Sequence, residues 1–207
     1  MTDTPLVYIV DDDAPVRESL AFLVSSLGYD VRPFATAREF LADIDPQRGG
    51  CVILDVRLKD MSGLDVHAEL GRRHNRLPVI FITGFGDVHM AVQAMKDGAA
   101  DFITKPFNDQ ELVDSLQRAL ADEEQHREAI AEQEKIRARL DTLTAREREI
   151  LRYIVDGKMN KVIAIELGLS PKTVEAHRAR VMEKMQVRSL AELVRHVLIT
   201  GTDEGFP

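Results

Sequence analysis

Acidic residues follow two short apolar runs of the sequence, and their spacing suits chemistry on a phosphoryl group. Asp11 and Asp12 come directly after the run 6–10, and Asp55 ends the run 51–55. Ligands of open α/β sheets collect outside the carboxyl ends of the strands, so these carboxylates stand where chemistry is expected. Like charges held close together are costly unless a cation lies among them, and oxygen ligands in a partly hydrated site favour Mg²⁺.

The ends of two further apolar segments carry a hydroxyl and an ammonium group. Thr83 ends the apolar run 78–83, and Lys105 follows the run 101–104. Each residue alone is more often a turn residue, a helix cap or a solvated charge. A carboxylate nucleophile, a divalent cation, a hydroxyl and a lysine are together what a phosphoryl group transferred to an aspartate requires. The set predicts phosphoryl transfer to an aspartate at these strand ends.

These residues can act together only if a sheet brings the carboxyl ends of the apolar segments side by side. From residue 6 to residue 104, short apolar runs alternate with segments of helical period, which is typical of βαβ units. The predicted strands are 6–10, 30–34, 51–55, 78–83 and 101–104. We expect an α/β domain with a doubly wound, five-stranded parallel sheet of the flavodoxin-like order 2-1-3-4-5, in which the first and third strands are neighbours.

After residue 120 the pattern changes twice. A charged segment of helical period continues the fifth helix of the α/β domain, and we interpret it as a solvated helical linker, with a two-chain coiled coil as the alternative. From residue 143 short helices follow one another, separated by turns. Residues 160–167, the turn 168–171 and a helix to about residue 185 have a helix-turn-helix pattern, for which an ordinary helical hairpin is the alternative.

The net charge of −8 is unevenly distributed along the chain. Residues 1–120 carry a net charge of −7, whereas residues 158–195 carry +4. An acidic first half and a locally basic second half indicate two domains with different partners, the second of them nucleic acid. The sequence has no run of 18 apolar residues and no secretory signal pattern at its start, so we expect a soluble, cytoplasmic protein without a membrane partner.

Residues 5–120 resemble the receiver domain of bacterial two-component response regulators. The motifs that carry the resemblance are the acidic pair Asp11-Asp12, the phosphoacceptor Asp55, Thr83-Gly84 and Lys105-Pro106-Phe107. The resemblance implies that phosphorylation of Asp55 by a sensor histidine kinase controls the protein.

The same resemblance implies roles for individual residues. Asp12 and Asp55 would bind Mg²⁺ together with the backbone carbonyl of Arg57, and Asp11 would act largely through water. Thr83 and Phe102 match a switch pair, in which a hydroxyl moves toward the phosphoryl group and an aromatic ring then turns inward. We expect the pair to relay the change to the fifth strand and to a helix over residues 87–98.

One position departs from the family pattern. Where many receiver domains have proline in the loop after the acceptor, this chain has Lys59, two positions before Met61-Ser62-Gly63. We expect the lysine to alter the stiffness and the local charge of this loop, and with them the lifetime of the phosphoaspartate.

Residues 140–200 are similar to the LuxR/FixJ type of DNA-binding domain. The motifs are residues 143–149 (LTARERE), 160–164 (NKVIA) and 173–178 (TVEAHR). The whole chain is most similar to the FixJ type of response regulator. We therefore expect a receiver domain over residues 1–121, a helical linker over 122–139 and a LuxR-type helix-turn-helix domain over 140–207.

The second helix of the helix-turn-helix has two faces. At about 100° per residue, Val174, Val181 and Met185 face inward, with His177 at the flank as a hydrogen-bonded structural residue. The residues predicted to contact base edges are Glu175, Ala176, Ala179 and Arg180, and those predicted to contact phosphates are Lys161, Lys172, Thr173 and Lys184.

These features predict a phosphorylation-activated transcriptional regulator that is not an enzyme. We expect phosphorylation of Asp55 to promote a homodimer that binds double-stranded promoter DNA and acts on RNA polymerase. One alternative is a DNA-binding regulator whose first domain works without phosphate. Another is a Mg²⁺-dependent aspartyl-phosphate hydrolase, which would want a second carboxylate at position 57, where this chain has Arg57.

Overall fold

The structure of the protein is a computed structural model that describes residues 4–45, 48–84 and 88–200. The chain divides into two compact units, and the division falls between Arg127 and Glu128. The first unit contains a β-sheet with helices on both faces. The described part of the second unit consists of helices and their connections.

The sheet of the first unit has five parallel strands. They are β1 (Leu6–Val10), β2 (Asp30–Phe34), β3 (Gly50–Asp55), β4 (Val79–Thr83) and β5 (Asp101–Thr104). Their spatial order is β2-β1-β3-β4-β5, which confirms the predicted fold.

Two strand starts differ by one residue from the prediction. β3 begins at Gly50 rather than at residue 51. A Cβ at Gly50 would lie 1.9 Å from the carbonyl oxygen of Leu6 on the neighbouring strand, so this position requires glycine. β4 begins at Val79 rather than Pro78. Proline has no N–H for the strand ladder, although the Pro78 carbonyl accepts a hydrogen bond of 2.9 Å from the Val52 N–H.

Among the described residues, five helices belong wholly or partly to the first unit. They are α1 (Ala14–Ser26), α2 (Ala37–Asp43), α3 (Gly63–Arg72), α4 (Val88–Lys96) and α5 (Asp109–Asp141). The side chains of Asp13 and Thr36 cap α1 and α2, as their positions before each helix indicate. The expected start of α4 at Asp87 lies outside the described residues.

Alternation along the strands separates two apolar cores. Tyr8 and Leu54 point to the face that packs against α2 and α3, whereas Ile9 and Ile53 point to the face that packs against α1 and α5. All four side chains are fully buried. Because both faces of the sheet are covered there, the central strands β1, β3 and β4 are almost continuously apolar in sequence.

Helix α5 is a single helix of 33 residues, and the predicted linker 122–139 lies within it. Its first turns bury Leu112, Leu116 and Leu120 against the sheet, and its later turns are mostly charged and exposed. No helix among the described residues is both long enough and apolar enough to cross a membrane.

The second unit contains the end of α5 and four further helices, α6 (Ala145–Val155), α7 (Asn160–Leu167), α8 (Pro171–Lys184) and α9 (Leu190–Ile199). Thr144 and Glu147 form a complete capping box at the start of α6. Gly168 ends α7 in the left-handed conformation with φ +63°, and the Ser170 side chain caps α8. Residues 160–184 thus form the predicted helix-turn-helix.

The apolar side of α9 is narrower than the sequence suggests. Leu193 and Val197 are buried, but Leu198 is 67% exposed and Leu190 is 41% exposed. Leu198 lies about 140° around the helix from Leu193, whereas His196 lies about 60° away and takes a buried place.

Candidate functional site

Three carboxylates meet at the carboxyl end of the sheet. Asp11 follows β1, Asp55 ends β3, and β1 and β3 are paired neighbours. Asp11 is fully buried, Asp55 is 8% exposed and Asp12 is half-buried. One oxygen from each of the three lies within 4.8 Å of the other two. The structure therefore brings together the acidic residues that the sequence selected.

Lys105 places its ammonium among these carboxylates. Its Nζ lies 2.7 Å from Asp11 Oδ2 and 3.8 Å from Asp55 Oδ2. Lys105 follows β5, two strands away from β3, and its backbone N–H donates to the Thr83 carbonyl at 2.7 Å. The Lys105-Pro106 peptide bond is cis. The lysine thus reaches back over the sheet edge from the last strand.

The environment of Asp55 disfavours its charge. Burial raises the pKa of its carboxyl above the usual value, and the neighbouring carboxylates Asp11 and Asp12 raise it further. The Lys105 ammonium and a hydrogen bond from the Arg57 backbone N–H act in the opposite direction without cancelling the increase in pKa. A divalent cation among these carboxylates would stabilise the ionised Asp55.

The donor set fits a divalent cation with hard oxygen preferences. All the candidate ligand atoms of the cluster are carboxylate oxygens, and their negative charge exceeds that of the nearby ammonium groups. Both oxygens of Asp11 already accept hydrogen bonds, from the Asp13 N–H and from Lys105. Asp12 has one oxygen near the Lys59 ammonium and Asp55 accepts from the Arg57 N–H, so each of the three carboxylates has a partner and keeps lone pairs that could bind a metal ion.

The loop after Asp55 is closely packed against the end of β3. Arg57 and Ser62 form an isolated antiparallel bridge, and the Gly63 N–H donates to the Val56 carbonyl at 2.9 Å. A Cβ on Gly63 would lie 2.4 Å from the Asp55 carbonyl oxygen. Only glycine fits this approach, so Gly63 positions the main chain of the phosphoacceptor.

The predicted switch pair occupies the last two strands. Thr83 ends β4 and is 1% exposed, next to the end of β3. Phe102 lies on β5, is half-buried and has its ring centroid 6.2 Å from that of Phe81. The hydroxyl is therefore at the carboxylate edge, and the ring is partly open to solvent.

Two residues of the loop make contacts that the sequence did not predict. Lys59 Nζ lies 3.2 Å from Asp12 Oδ2. The Asp60 carboxylate accepts hydrogen bonds from the backbone N–H groups of Ala37 and Arg38 at the start of α2, each at 3.1 Å. Asp60 and Ala37 are 23 residues apart, and no local pattern connects them.

Helix α8 has the two faces that its sequence predicts. Val174, Val181 and Met185 are fully buried. The exposed residues include those expected at base edges and one expected at phosphates, namely Lys172, Glu175, Ala176, Ala179 and Arg180. This surface is available to a ligand in the described structure.

The remaining predicted phosphate contacts differ in their surroundings. Lys161 is exposed on α7. Thr173 is half-buried in the first turn of α8, with its hydroxyl 2.8 Å from that of Ser170. Lys184 is bonded within its own unit, because its Nζ donates to Glu147 Oε2 at 2.6 Å and to the Thr142 carbonyl at 3.0 Å.

Glu147 joins α6 to α8 through this ion pair. Its carboxylate is 3% exposed and also accepts from the Thr144 backbone N–H at 2.9 Å. The hydrogen bonds from Lys184 and Thr144 lower the pKa of Glu147 from 4.5 to about 2. Thr144-Ala145-Arg146-Glu147 has the sequence spacing of a capping box, but nothing in the sequence indicates Lys184 as the partner of Glu147.

His177 lies at the flank of α8, as predicted, but one of its ring nitrogens is unpaired. Its Nδ1 is buried and has no hydrogen-bond partner among the described residues. Next to it, Arg178 donates to Asn160 Oδ1 at 3.3 Å and so links α8 to the start of α7. Arg178, rather than His177, connects the two helices of the helix-turn-helix.

Two family models match this chain, one in each half. Residues 7–117 match the response regulator receiver domain. Residues 141–197 match the bacterial regulatory proteins of the luxR family.

Individual relatives match nearly the full length. The transcriptional regulatory protein FixJ of Rhizobium meliloti is 46% identical over 201 residues, covering 97% of this chain and 98% of that protein. Nodulation protein W of Bradyrhizobium diazoefficiens is 45% identical over 190 residues, covering 92% of this chain and 84% of that protein.

Solved structures agree with these matches. The response regulator StyR is 41% identical with a TM-score of 0.88, covering 95% of this chain and 99% of that one. Full-length FixJ from B. japonicum is 39% identical with a TM-score of 0.59, covering 97% and 98% of the two chains.

Proposed function

This chain belongs to the FixJ type of two-component response regulators, which are DNA-binding transcriptional regulators, and we propose that phosphoryl transfer to Asp55 controls its binding to promoter DNA. The main support for the proposal is a cluster at the carboxyl end of the sheet, formed by Asp11, Asp12, Asp55 and Lys105. The same chain also has a helix-turn-helix with an exposed face. The donor would be a phosphohistidine of a sensor histidine kinase.

Transfer to Asp55 is a displacement at phosphorus. A carboxylate oxygen of Asp55 attacks, the P–N bond of the phosphohistidine breaks, and the imidazole leaves with the electron pair. Bound Mg²⁺, held by Asp12, Asp55 and the Arg57 carbonyl with Asp11 acting through water, would neutralise the phosphoryl oxygens. The Lys105 ammonium, 3.8 Å from Asp55, is placed to bind one of those oxygens.

The proposed switch begins at the same edge. Thr83 ends β4 beside Asp55, so a phosphoryl oxygen there would attract its hydroxyl. Movement of Thr83 would open space on the side of Phe102, whose ring is only half-buried. The relay would change the surface of α4 and β5, where we propose that two phosphorylated chains pair.

Helix α8 is the proposed recognition helix. Glu175, Ala176, Ala179 and Arg180 would face base edges, because all four are exposed on the side away from the core. Lys161, Lys172 and Thr173 would contact phosphates. Lys184 would reach a phosphate only as a secondary role, since Glu147 and Thr142 already accept from its ammonium.

A homodimer would strengthen DNA binding without any new contact to a base. The basic stretch carries a net charge of only +4, so one domain releases few counterions and binds weakly. Two domains joined by dimerised receivers would read two half-sites with an increased effective concentration. On this proposal the bound dimer acts on RNA polymerase, and the kinase and the DNA place the protein in the cytoplasm.

We propose the domain limits 1–121 for the receiver, 122–139 for the linker and 140–207 for the DNA-binding domain. The family matches at 7–117 and 141–197 lie within these limits, and α5 is continuous through the linker. We also propose that the protein is not an enzyme. Position 57, where an aspartyl-phosphate hydrolase would have an acid carboxylate, is an arginine.

Labelling by a small-molecule phosphodonor tests the receiver half. Wild-type protein should gain an acid-stable, hydroxylamine-sensitive phosphoryl label that requires Mg²⁺, and Asp55→Asn should gain none. Asp114→Asn, which removes an exposed aspartate from α5, serves as the matched control and should label normally. Label that persists in Asp55→Asn, or that forms at the same rate with a chelator present, would contradict the assignment.

Binding to operator DNA tests the other half. The phosphodonor should convert the protein to a dimer and raise its DNA affinity, which should fall steeply with salt. Arg180→Ala should weaken discrimination between operator and random DNA by about 1–3 kcal/mol. Arg195→Ala, an exposed arginine on α9, is the control. A phosphodonor that leaves oligomeric state and affinity unchanged would favour a regulator that works without phosphate.

A further inference from the structure

Lys59 occupies a loop position where related receivers often have proline, and its ammonium contacts the proposed metal site. Its Nζ lies 3.2 Å from Asp12 Oδ2. The Lys59 side chain is 79% exposed, whereas that of Asp12 is 21% exposed. The contact thus joins a solvated lysine to a carboxylate that faces the cluster.

The main chain on both sides of Lys59 is held by other groups. Asp60 binds two backbone N–H groups at the start of α2, each at 3.1 Å. Arg57 and Ser62 form a bridge across the loop. Because these contacts fix the loop without the Lys59 side chain, that side chain can leave Asp12 while the loop keeps its shape.

The two lysines at the site divide the carboxylates between them. Lys105, whose side chain is 22% exposed, lies against Asp11 and Asp55, and Lys59 lies against Asp12. Every carboxylate of the cluster therefore has an ammonium within 4 Å. The cation beside Asp12 is the exposed one of the two, and Asp12 is a proposed ligand of Mg²⁺.

We propose that Lys59 is a displaceable counter-ion of Asp12 that competes with Mg²⁺ and so sets the Mg²⁺ concentration at which the receiver accepts a phosphoryl group. The inference rests on the proposed function, because it takes Asp12 as a metal ligand. A metal ion bound at Asp12 Oδ2 would displace the Lys59 ammonium, and the lysine side chain would then extend into the solvent. The ammonium also stays close enough to repel an incoming dication.

The competition should be modest and measurable. Exposed ion pairs contribute up to about 1 kcal/mol, so loss of the Lys59 charge should tighten Mg²⁺ binding roughly two- to fivefold. The same change should lower the Mg²⁺ concentration for half-maximal phosphodonor labelling by a similar factor. Apo protein without the lysine should keep its fold, because the loop has its other anchors.

Mg²⁺ titration of the full chain followed by amide NMR tests the proposal. The chain has no tryptophan, so amide resonances near Asp12 and Asp55 replace an indole signal. Lys59→Met and Lys59→Gln remove the charge, and Lys59→Arg keeps it. Lys96→Met is the matched control, because Lys96 is an exposed lysine of the same unit. It ends α4 near the amino ends of the strands, whereas Thr83 and the carboxylates lie at the carboxyl ends.

We expect tighter Mg²⁺ binding in Lys59→Met and Lys59→Gln, and near wild-type binding in Lys59→Arg and Lys96→Met. The increase in melting temperature at a fixed Mg²⁺ concentration should be larger in the two neutral variants. Equal affinity in wild type and both neutral variants would overturn the inference. So would equal tightening in Lys96→Met, which would indicate net charge alone. If the wild type itself bound no Mg²⁺, the proposed metal site would fail first.

Discussion

Each unit of the chain contains a lysine whose ammonium lies against a buried carboxylate. In the first unit Lys105 Nζ is 2.7 Å from Asp11, and in the second Lys184 Nζ is 2.6 Å from Glu147. Asp11 is fully buried and Glu147 is 3% exposed. The two ion pairs are alike in distance and burial, and they differ in what surrounds them.

Around Lys105 there are more carboxylates than cations, and around Lys184 the charges are matched. The pKa of Asp55 is raised by burial and by its acidic neighbours, whereas the pKa of Glu147 is lowered to about 2 by Lys184 and the capping box. A new cation or a covalent phosphoryl group can lower the electrostatic free energy of a cluster with excess negative charge. The matched Lys184–Glu147 pair has no such excess, so a change there only removes a favourable interaction. The difference separates a reactive site from a structural one.

The largest expected effect is on phosphorylation. Lys105→Met should reduce the rate of Asp55 labelling about 100-fold, because the variant lacks the cation nearest to the transferred oxygens. Lys184→Met should label at the wild-type rate in the same assay. Similar losses in the two variants would erase the distinction between the pairs. The measurement is the initial rate of label incorporation at saturating Mg²⁺.

The second expected effect is on stability. Lys184→Met should lower the free energy of unfolding of the second unit by about 2 kcal/mol, since it leaves the buried Glu147 without its charged partner. Lys172→Met removes an exposed lysine from the same helix and should change stability little. Urea unfolding followed by NMR signals of α6, with β3 signals as the internal reference, resolves the two units. A loss confined to β3 signals would contradict the prediction.

The smallest effect is a difference in pH dependence. The folded-state pKa of Glu147 is below its ordinary value, so its stabilisation is present above about pH 4.5 and is lost as the pH falls toward about 2. The pKa of Asp55 is raised, so its protonated form favours folding at low pH and that contribution is lost as the pH rises.

Acidification from pH 6 to pH 3 should therefore lower the free energy of unfolding reported by α6 signals more than that reported by β3 signals in the same urea series. Glu147→Gln should flatten the pH dependence of the second unit. If α6 stability in wild type did not change between these two pH values, the low pKa of Glu147 would be wrong. The matched reference is Glu128→Gln, which removes an exposed glutamate of α5 in the same unit.

Much of the reactive site could be predicted because strand ends are visible in the sequence. Asp55 and Thr83 end apolar runs, and parallel strands put such ends at one edge. Two of the helix caps, Asp13 and Thr36, accept from backbone N–H groups only three residues away, so they can also be recognised from the local sequence. Local chemistry together with the sheet order was sufficient for both.

The structural contacts were harder to predict because they join distant residues with ordinary patterns. Glu147 and Lys184 are 37 residues apart, and each fits its own helix without reference to the other. Lys59 was noticed only as a departure, and nothing in the loop sequence indicated Asp12 as its partner. On α9, the apolar character of Leu198 suggests a core residue, although Leu198 lies outside the buried face of the helix.

Gly63 has a practical consequence for mutational libraries of this protein. Any side chain at position 63 would collide with the Asp55 carbonyl, so a selection for transcriptional output should reject every substitution there as strictly as at Asp55. The two positions would then have the same fitness profile for different reasons. Intracellular abundance should separate them, because we expect Asp55→Asn to accumulate as folded protein and Gly63 variants to misfold and be degraded.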